Sequence, residues 1–448
     1  MKNKIAIIGT GYVGLVAGVC FARKHDVLCV DIDEKKVNSI NDAKSPFYEP
    51  KLDSMLDYAI HSGRLKATTD TDYAISKSDL IFICVGTPSL HSGAIDLSFV
   101  ENAASDIGKS LANVDEYKII IQRSTVTPTT TRNLVSRTIE EKSGKVAGKD
   151  FGIAFVPEFL REGNAVDDFL KPDRVIIGTD DKSVAKILGE LYRDFYPELS
   201  DDNILFMSSE SAELVKYASN SFLATKISFA NEIASLAELI PGVDVMDVMR
   251  GVGLDHRISP KYFGAGPGFG GSCFPKDVKA LIDFARTKRL EPFLLESVIE
   301  RNEMQAIHIV DLAEDALGSF DSSKIAILGL SFKPNTSDMR EAPSLRIISK
   351  LIERGARQIV GCDPQAIDDA KNILGDRIRY TRDPNEALKD ANIAIILTEW
   401  DEFRKLTPFD FIENMKTPLV LDARRIYDRE KFSKALRYIA IGIGPTDY

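Results

Sequence analysis

The chain has 448 residues, too many for a single hydrophobic core, so two or three domains are expected. Hydrophobic residues make up 44% and charged residues 28%, the balance of a globular protein rather than of a disordered or fibrous one. A net charge of −10 argues against a nucleic-acid binder or a peripheral membrane protein, either of which needs a basic face, and it requires local cations wherever an anionic ligand is to bind.

Taken in chain order, the sequence first offers the uncharged run at positions 5–22, IAIIGTGYVGLVAGVCFA, after the basic start MKNK. It superficially resembles a signal peptide. Glycines at positions 9, 11, 14 and 18 interrupt it, and a charged strand-like stretch follows where a cleavage site is wanted, so export is not expected and a cytoplasmic location is. KIAIIG reads instead as a buried strand, GTGYVGLVAGVCFAR as a glycine turn entering a helix, and HDVLCVDID as a second strand ending in acids: a βαβ unit. Apolar strands follow at DLIFICVGTP, YKIIIQRST, FGIAFVPEF and RVIIGT, separated by helix-compatible segments, which calls for a parallel doubly wound sheet.

From Ser208 to Ile240 the texture changes to a stretch without Pro or Gly that stops at Pro241-Gly242, predicting one helix of about 50 Å able to join two domains. The α/β texture then returns and echoes the first half. KIAIIGTGYVG is matched by KIAILGLSFKP at 324–334, VLCVDID by IVGCDPQ at 359–365, and SKSDLIFICVGTP by KDANIAIILTEW. The fold class expected is α/β, with two Rossmann-like doubly wound parallel-sheet domains joined by a long central helix. The expected division is 1–200 for a dinucleotide domain, 201–300 for a central helical region and 301–448 for a second Rossmann-like domain that has lost its glycine turn.

Gly9-Thr10-Gly11-Tyr12-Val13-Gly14 fits G-x-G-x-x-G directly after a strand and at the start of a helix. Gly9 permits the tight turn, Gly11 lets a pyrophosphate approach the backbone, and Gly14 lets helix and strand pack closely. Asp31, twenty residues beyond Gly11 at the end of the next strand, can accept hydrogen bonds from a ribose diol and would repel a 2′-phosphate, favouring NAD over NADP. An ordinary glycine turn is the bland alternative. Lys216 and Asn220 lie one helical turn apart and can polarise and orient an oxygen; the alternative is a solvated lysine beside a surface amide. Glu158 and Glu162, in VPEFLREG, follow a strand, where α/β folds place their crevice, and one of them can activate water; equally, acids at a helix start stabilise it.

The cysteines are Cys20, Cys29, Cys84, Cys273 and Cys362, an odd number without a C-x-x-C pair, and no histidine has a partner at metal-ligand spacing. Reduced thiols and no metal site are expected. Cys20, Cys29 and Cys84 sit in apolar runs. Cys273 instead lies in GFGGSCFPKD, where three glycines let backbone lie against a ligand and a nearby lysine favours the thiolate. A nicotinamide alone oxidises an alcohol to a carbonyl, so an added nucleophile suggests that the carbonyl is captured and oxidised again.

Taken together, GTGYVG, SPFYEP at 45–50, VGTP at 85–88, RSTV at 123–126, PEFLREG, LVKYASNSFLATKIS, RISPKYFGAGPGFGGSCFPKD and LGLSFKPNTSDMRE resemble the UDP-glucose/GDP-mannose dehydrogenase family along nearly the whole chain, its UDP-glucose branch in particular. The resemblance implies a four-electron oxidation of a sugar C6 alcohol to a carboxylate with two NAD+. Cys273 would be the nucleophile of a thiohemiacetal and then a thioester. Lys216 and Asp277, with Asn220, would stabilise the oxyanion, Glu158 would assist the proton steps and Thr125 would position water. Gly9, Gly11, Tyr12, Val13 and Gly14, with Asp31, Lys36, Thr87, Thr125, Glu162, Lys276 and Arg340, match cofactor positions. The sugar-nucleotide positions are Glu158, Phe159, Leu160, Arg161 and Glu162, Lys216 and Asn220, Tyr262, Phe263, Gly264, Ala265 and Gly266, Gly270, Lys333 and Arg424, with Arg257 lent by a neighbouring subunit. Lys333, Arg424 and Arg257 would supply the cations that an acidic protein needs at a pyrophosphate; of Arg424 and Arg425, the first is favoured. The resemblance further implies a homodimer through the central helix.

GDP-mannose and UDP-N-acetylhexosamines remain alternative substrates. A two-electron dehydrogenase of the β-hydroxyacid type also joins a Rossmann domain to a Lys-x-x-x-Asn helix, but it needs neither the thiol nor a second nucleotide-type fold. A non-catalytic nucleotide-sugar sensor would be expected to have lost one of Cys273, Lys216, Asp277 or Glu158, and all four are present.

Overall fold

A computed structural model describes residues 2–445. The residues group into two compact units, one ending at Ser219 and the other beginning at Asn220, with the division falling inside the helix Ser209–Ala237.

The first unit is built on eight strands: β1 (Lys4–Ile8), β2 (Asp26–Val30), β3 (Leu65–Thr68), β4 (Leu80–Ile83), β5 (Ile119–Gln122), β6 (Gly152–Phe155), β7 (Val175–Gly178) and β8 (Ile204–Met207). They lie in the order β3-β2-β1-β4-β5-β6-β7-β8. The first six pair in parallel, so strand order reverses between β1 and β4, the position at which doubly wound sheets open a ligand crevice beyond the strand carboxyl ends. One junction departs from the expected parallel pattern: β7 meets β6 antiparallel through Gly178 and Phe155, and β8 follows β7. The connection between β6 and β7 carries one short helix, Ala165–Leu170. The core packs Ile5 and Ile7 of β1 with Val16, Phe21, Phe82, Ile121, Phe169 and Tyr192.

The second unit holds β9 (Lys324–Leu328), β10 (Gln358–Cys362), β11 (Arg379–Thr381), β12 (Ile393–Ile396), β13 (Leu419–Asp422) and β14 (Arg437–Ala440), in the order β11-β10-β9-β12-β13-β14 and parallel throughout. This repeats the order of the first six strands of the other sheet, as the sequence echo predicts. Both faces are covered: Ile325 and Ile327 join a core with Ile347, Ile348 and Leu351, while Ala326 and Leu328 face one with Trp400, Phe403 and Phe411. The helix Ser209–Ala237 has 29 residues within the predicted 208–240 stretch. No helix among the described residues is long and apolar enough to cross a membrane, and no group of His, Cys, Asp or Glu among them is placed to hold a metal.

Candidate active site

In the first unit the glycine turn behaves as its spacing predicts. Gly9 has φ +96°, and a Cβ there would stand 2.9 Å from the Cys84 carbonyl oxygen; at Gly14 it would stand 1.9 Å from the Gly9 oxygen. Neither position can hold a side chain. At Gly11, the N-cap of the helix Tyr12–Phe21, nothing lies within 4 Å of such an atom. The helix N-terminus therefore faces open space, which fits a diphosphate. Asp31 follows β2 and accepts from the Thr10 N–H at 2.9 Å, the Thr10 hydroxyl at 2.5 Å and the Asp33 N–H at 3.0 Å, with the Lys36 ammonium 4.0 Å away. Burial raises its carboxyl, but the Thr10 and Asp33 bonds and Lys36 outweigh that and leave it below the ordinary value, an ionised acceptor.

Thr87 and Thr125 are half-buried on the loops after β4 and β5, which the Ser124 hydroxyl ties together through the Val85 carbonyl at 2.7 Å. Glu158 follows β6 and is buried. The Lys216 ammonium donates to its Oε1 at 2.9 Å and to its carbonyl at 2.8 Å, while the Leu160 N–H donates to Oε2 at 2.6 Å. Burial would raise this carboxyl; Lys216, the Leu160 bond and the buried Arg123 bring it below the ordinary value. Lys216 is 3% exposed and Asn220 6%, so the reading of a solvated lysine beside a surface amide does not hold. The Phe159 ring has two cations near its centroid, Arg174 at 3.9 Å and Lys216 at 5.4 Å. Leu160 and Glu162 are half-buried, and Arg161 is exposed and paired with Asp168 at 2.6 Å.

The second unit carries the thiol. Four of the five cysteines are buried and Cys273 is not; among the described residues none forms a disulfide. Cys273 is the N-cap of the helix Phe274–Thr287, with Pro275 in its first turn. This placement adds a helix N-terminus to the lysine as a source of thiolate stabilisation. The Lys276 ammonium sits on Asp277 at 2.6 Å, and the helix N-terminus is the positive end that faces Cys273. Asp277, 1% exposed, also accepts from the Asn220 amide at 2.6 Å, and its N–H donates to the Cys273 carbonyl at 2.8 Å. The loop before the thiol is tightly held. Gly268 and Gly271 have φ of +100° and +81°, and a Cβ at Gly270 would stand 2.4 Å from the Glu341 oxygen. Asn231 accepts from the Gly266 N–H, Gln305 donates to the Gly266 carbonyl, and Asn302 bonds both N–H and carbonyl of Phe269.

The predicted sugar-nucleotide residues of this unit partly converge. Lys226 holds the Ile258 and Ser259 carbonyls and lies 4.1 Å over the Phe263 ring, fixing the approach to Tyr262, Gly264 and Ala265. Arg424 donates to the carbonyls of Leu397 at 2.7 Å and Phe332 at 3.1 Å, which brings it beside Lys333, and its guanidinium is 3.6 Å from a Cβ position at Gly266. Arg425 is committed elsewhere, to Asp244 at 2.7 Å and the Ile441 carbonyl at 2.9 Å. Arg340 is exposed and paired with Asp338, and Arg257 is exposed with a forked bond to Asp255. Sequence reasoning missed Glu49, Arg123, Glu213, Asn231, Asn302 and Gln305. Glu49 and Arg123 lie in the quoted segments SPFYEP and RSTV, which assign them no individual role, and the partners of the other four are distant in sequence.

Three family models cover the chain: those of the UDP-glucose/GDP-mannose dehydrogenase family for its NAD binding domain at residues 3–196, central domain at 210–304 and UDP binding domain at 326–429. The chain is 43% identical over 447 residues to a UDP-glucose 6-dehydrogenase of Rhizobium meliloti (strain 1021), covering 98% of this chain and 99% of that one. Among solved structures, a UDP-glucose dehydrogenase from the hyperthermophilic archaeon Pyrobaculum islandicum matches with TM-score 0.90 and 39% identity, covering 99% and 98%. A UDP-D-ManNAc dehydrogenase from Pyrococcus horikoshii matches with TM-score 0.85 and 27% identity, covering 98% and 99%.

Proposed function

The chain belongs to the UDP-glucose/GDP-mannose dehydrogenase family and is an NAD-dependent nucleotide-sugar dehydrogenase, and from that premise we propose that it converts UDP-glucose to UDP-glucuronate through a covalent adduct on Cys273. The observation that carries the covalent step is the one cysteine of five that is not buried, at a helix N-terminus one turn from a buried Asp277–Asn220 pair. UDP-glucose is favoured over an N-acetylhexosamine because identity is 39% to the UDP-glucose enzyme and 27% to the ManNAc enzyme at similar coverage.

Two molecules of NAD+, bound in turn, would each accept one hydride. The C6 alcohol loses a hydride from carbon and a proton from oxygen, the latter toward the Glu158–Lys216 pair. The Cys273 thiolate then adds to the aldehyde carbon, and the Lys216 ammonium and the Asn220 amide donate to the oxygen as its charge changes, with Asp277 holding that amide in place. Loss of the second hydride leaves a thioester. Water attacks it, the C–S bond breaks, and the carboxylate and thiolate are released with protons going to solvent. Lys333, Arg424 and the Tyr262–Gly266 loop hold the UDP, so that binding far from C6 keeps the reacting carbon in place through all steps.

The test is stoichiometric: a panel of UDP- and GDP-sugars is supplied with NAD+, and NADH is counted per sugar consumed. Two NADH with UDP-glucose is the expected result; one NADH supports the two-electron alternative, and turnover of GDP-mannose or a hexosamine alone reassigns the branch. The proposal includes a homodimer. On the helix Ser209–Ala237, Phe222, Phe229 and Leu236 are exposed at a spacing of seven, a stripe suited to a second copy, with Arg257 then serving the neighbouring site. It also includes the division at 201–300 as the central region and a cytoplasmic location, the latter supported by five cysteines that form no disulfide.

A further inference from the structure

The segment SPFYEP at 45–50 has no part in the reaction outlined above, yet its glutamate lies between two elements that do. Glu49 is 4% exposed. Its Oε2 accepts hydrogen bonds from the Tyr12 hydroxyl and, at 2.6 Å, from the Gly163 N–H; its Oε1 accepts from the Ala165 N–H at 2.7 Å. The Gly163 N–H is shared with the Tyr12 hydroxyl oxygen at 2.8 Å, and the Tyr12 ring lies against Phe47 with centroids 5.1 Å apart. Tyr12 is the first residue of the helix that opens on the glycine turn. Gly163, with φ +75°, ends the strap that bears Glu158, Phe159 and Glu162. One carboxylate therefore fastens the dinucleotide turn to the strap. A neighbouring tie, Lys51 to Asp167 at 2.7 Å, is exposed and screened by solvent.

The bonding is of a kind that resists exchange for water. Burial raises the Glu49 carboxyl above its ordinary value although Tyr12 and backbone N–H groups donate to it, and burial together with Glu49 pushes the Tyr12 phenol up, so that it keeps its proton and remains a donor.

We infer that Glu49 is a positioning residue for hydride transfer: it sets the offset between the dinucleotide turn and the strap that presents Glu158 and Glu162. This rests on the roles proposed above for those two acids. Glu49 itself touches neither reacting atom, so its loss acts through the strap.

The experiment compares Glu49→Gln, Tyr12→Phe and the double variant in the full chain. Single-turnover NADH formation with UDP-glucose is measured, along with sugar KM, NAD+ affinity by protein fluorescence, and hydrogen exchange of peptides spanning 158–166. Gln keeps the size but turns an NH2 toward one of two backbone N–H groups. Each single variant is expected to slow the first hydride step roughly 10- to 100-fold, as small misplacements of reacting groups do. The sugar KM is expected to stay within about two-fold, since uniform binding is not what is lost. The 158–166 peptides should exchange faster in both. The double variant should fall no further than the slower single, because both cut one tie. A folded Glu49→Gln with the wild-type hydride rate overturns the inference, as do rate losses that multiply in the double variant or that appear only as a raised sugar KM. If the wild-type chain fails to oxidise UDP-glucose, the functional reading falls by itself. NAD+ affinity and strap exchange then still decide the Glu49 tie, with unchanged exchange in both variants refuting it.

Discussion

The two sheets start with nearly the same sequence and use it for opposite ends. After β1 comes Gly9-Thr10-Gly11-Tyr12-Val13-Gly14; after β9 comes Gly329-Leu330-Ser331-Phe332-Lys333-Pro334. Gly9 and Gly329 both take positive φ, +96° and +105°, because the next strand leaves no room: a Cβ at Gly329 would stand 2.4 Å from that of Thr398. Past that point they diverge. In the first unit a helix begins at Tyr12, with open space over Gly11. In the second, Pro334 lacks an N–H, and the helix is postponed to Pro343–Glu353, leaving a loop that carries Lys333. The acids at the ends of β2 and β10 diverge likewise. Asp31 receives three hydrogen bonds and keeps capacity for another. Asp363 is fully buried and receives six, from Leu330, twice from Ser331, and from Gln365, Ala366 and Trp400. A carboxylate has about four lone-pair sites, so Asp363 has nothing left for a ribose. The lesson is that one turn can serve as a dinucleotide cradle or as a locked support for a cationic loop, depending on whether its acid is saturated by the protein itself.

The largest effect is expected at the thiol of the second unit. Cys273→Ser should keep UDP-sugar binding but reduce acid formation by at least roughly 10³-fold, measured as NADH after the first turnover, as when a nucleophile is removed from a concerted site. Unimpaired turnover would remove the covalent step. Next, Asp363→Asn should destabilise the second unit by about 3 kcal/mol in urea unfolding, because an amide group then faces backbone donors that lose their acceptor. A loss of NAD affinity with unchanged stability would instead erase the contrast drawn above.

A third test asks whether donors or burial decide a carboxylate's state. Glu213 receives three bonds, from the Thr129 N–H, the Thr131 N–H and the Thr131 hydroxyl, the same number as Asp31. It is fully buried beside Glu210, whose own charge is shared by Arg132, and burial pushes its carboxyl up from 4.5 to about 7. A folded value above the unfolded one means that proton uptake favours the fold: this contribution is full below pH 4.5 and is lost as pH rises through 7. The unfolding free energy of the wild type relative to Glu213→Gln should therefore fall by on the order of 2 to 3 kcal/mol across that window. A flat difference would show that the three donors prevail. Smallest is Asp31→Ala, expected to weaken NAD about ten-fold while leaving the sugar nucleotide unchanged in calorimetry, which is the value of one charged hydrogen bond. Equal loss of both ligands would deny Asp31 its ribose role.

Much of this was legible because the signals are local. The G-x-G-x-x-G run, Asp31 at the next strand end, the Lys-x-x-x-Asn spacing and the single cysteine outside an apolar run each need only a few adjacent residues or one helical period to be read. The antiparallel entry of β7 was not legible, since the segment before it reads as an ordinary crossover and strand direction is settled only by pairing with β6. Nor was the ion pair between Lys276 and Asp277, which depends on side-chain placement at the helix start.

The sequence by itself determined the two Rossmann-like repeats and the long helix, because periodicity and glycine sterics act over short stretches. Tertiary structure alone decided which acids are ionised and which groups are held. Glu49 meets Gly163 from 114 residues away and Glu213 meets Thr131 from 82, and the burial and donors that fix their charge exist only once those segments pack.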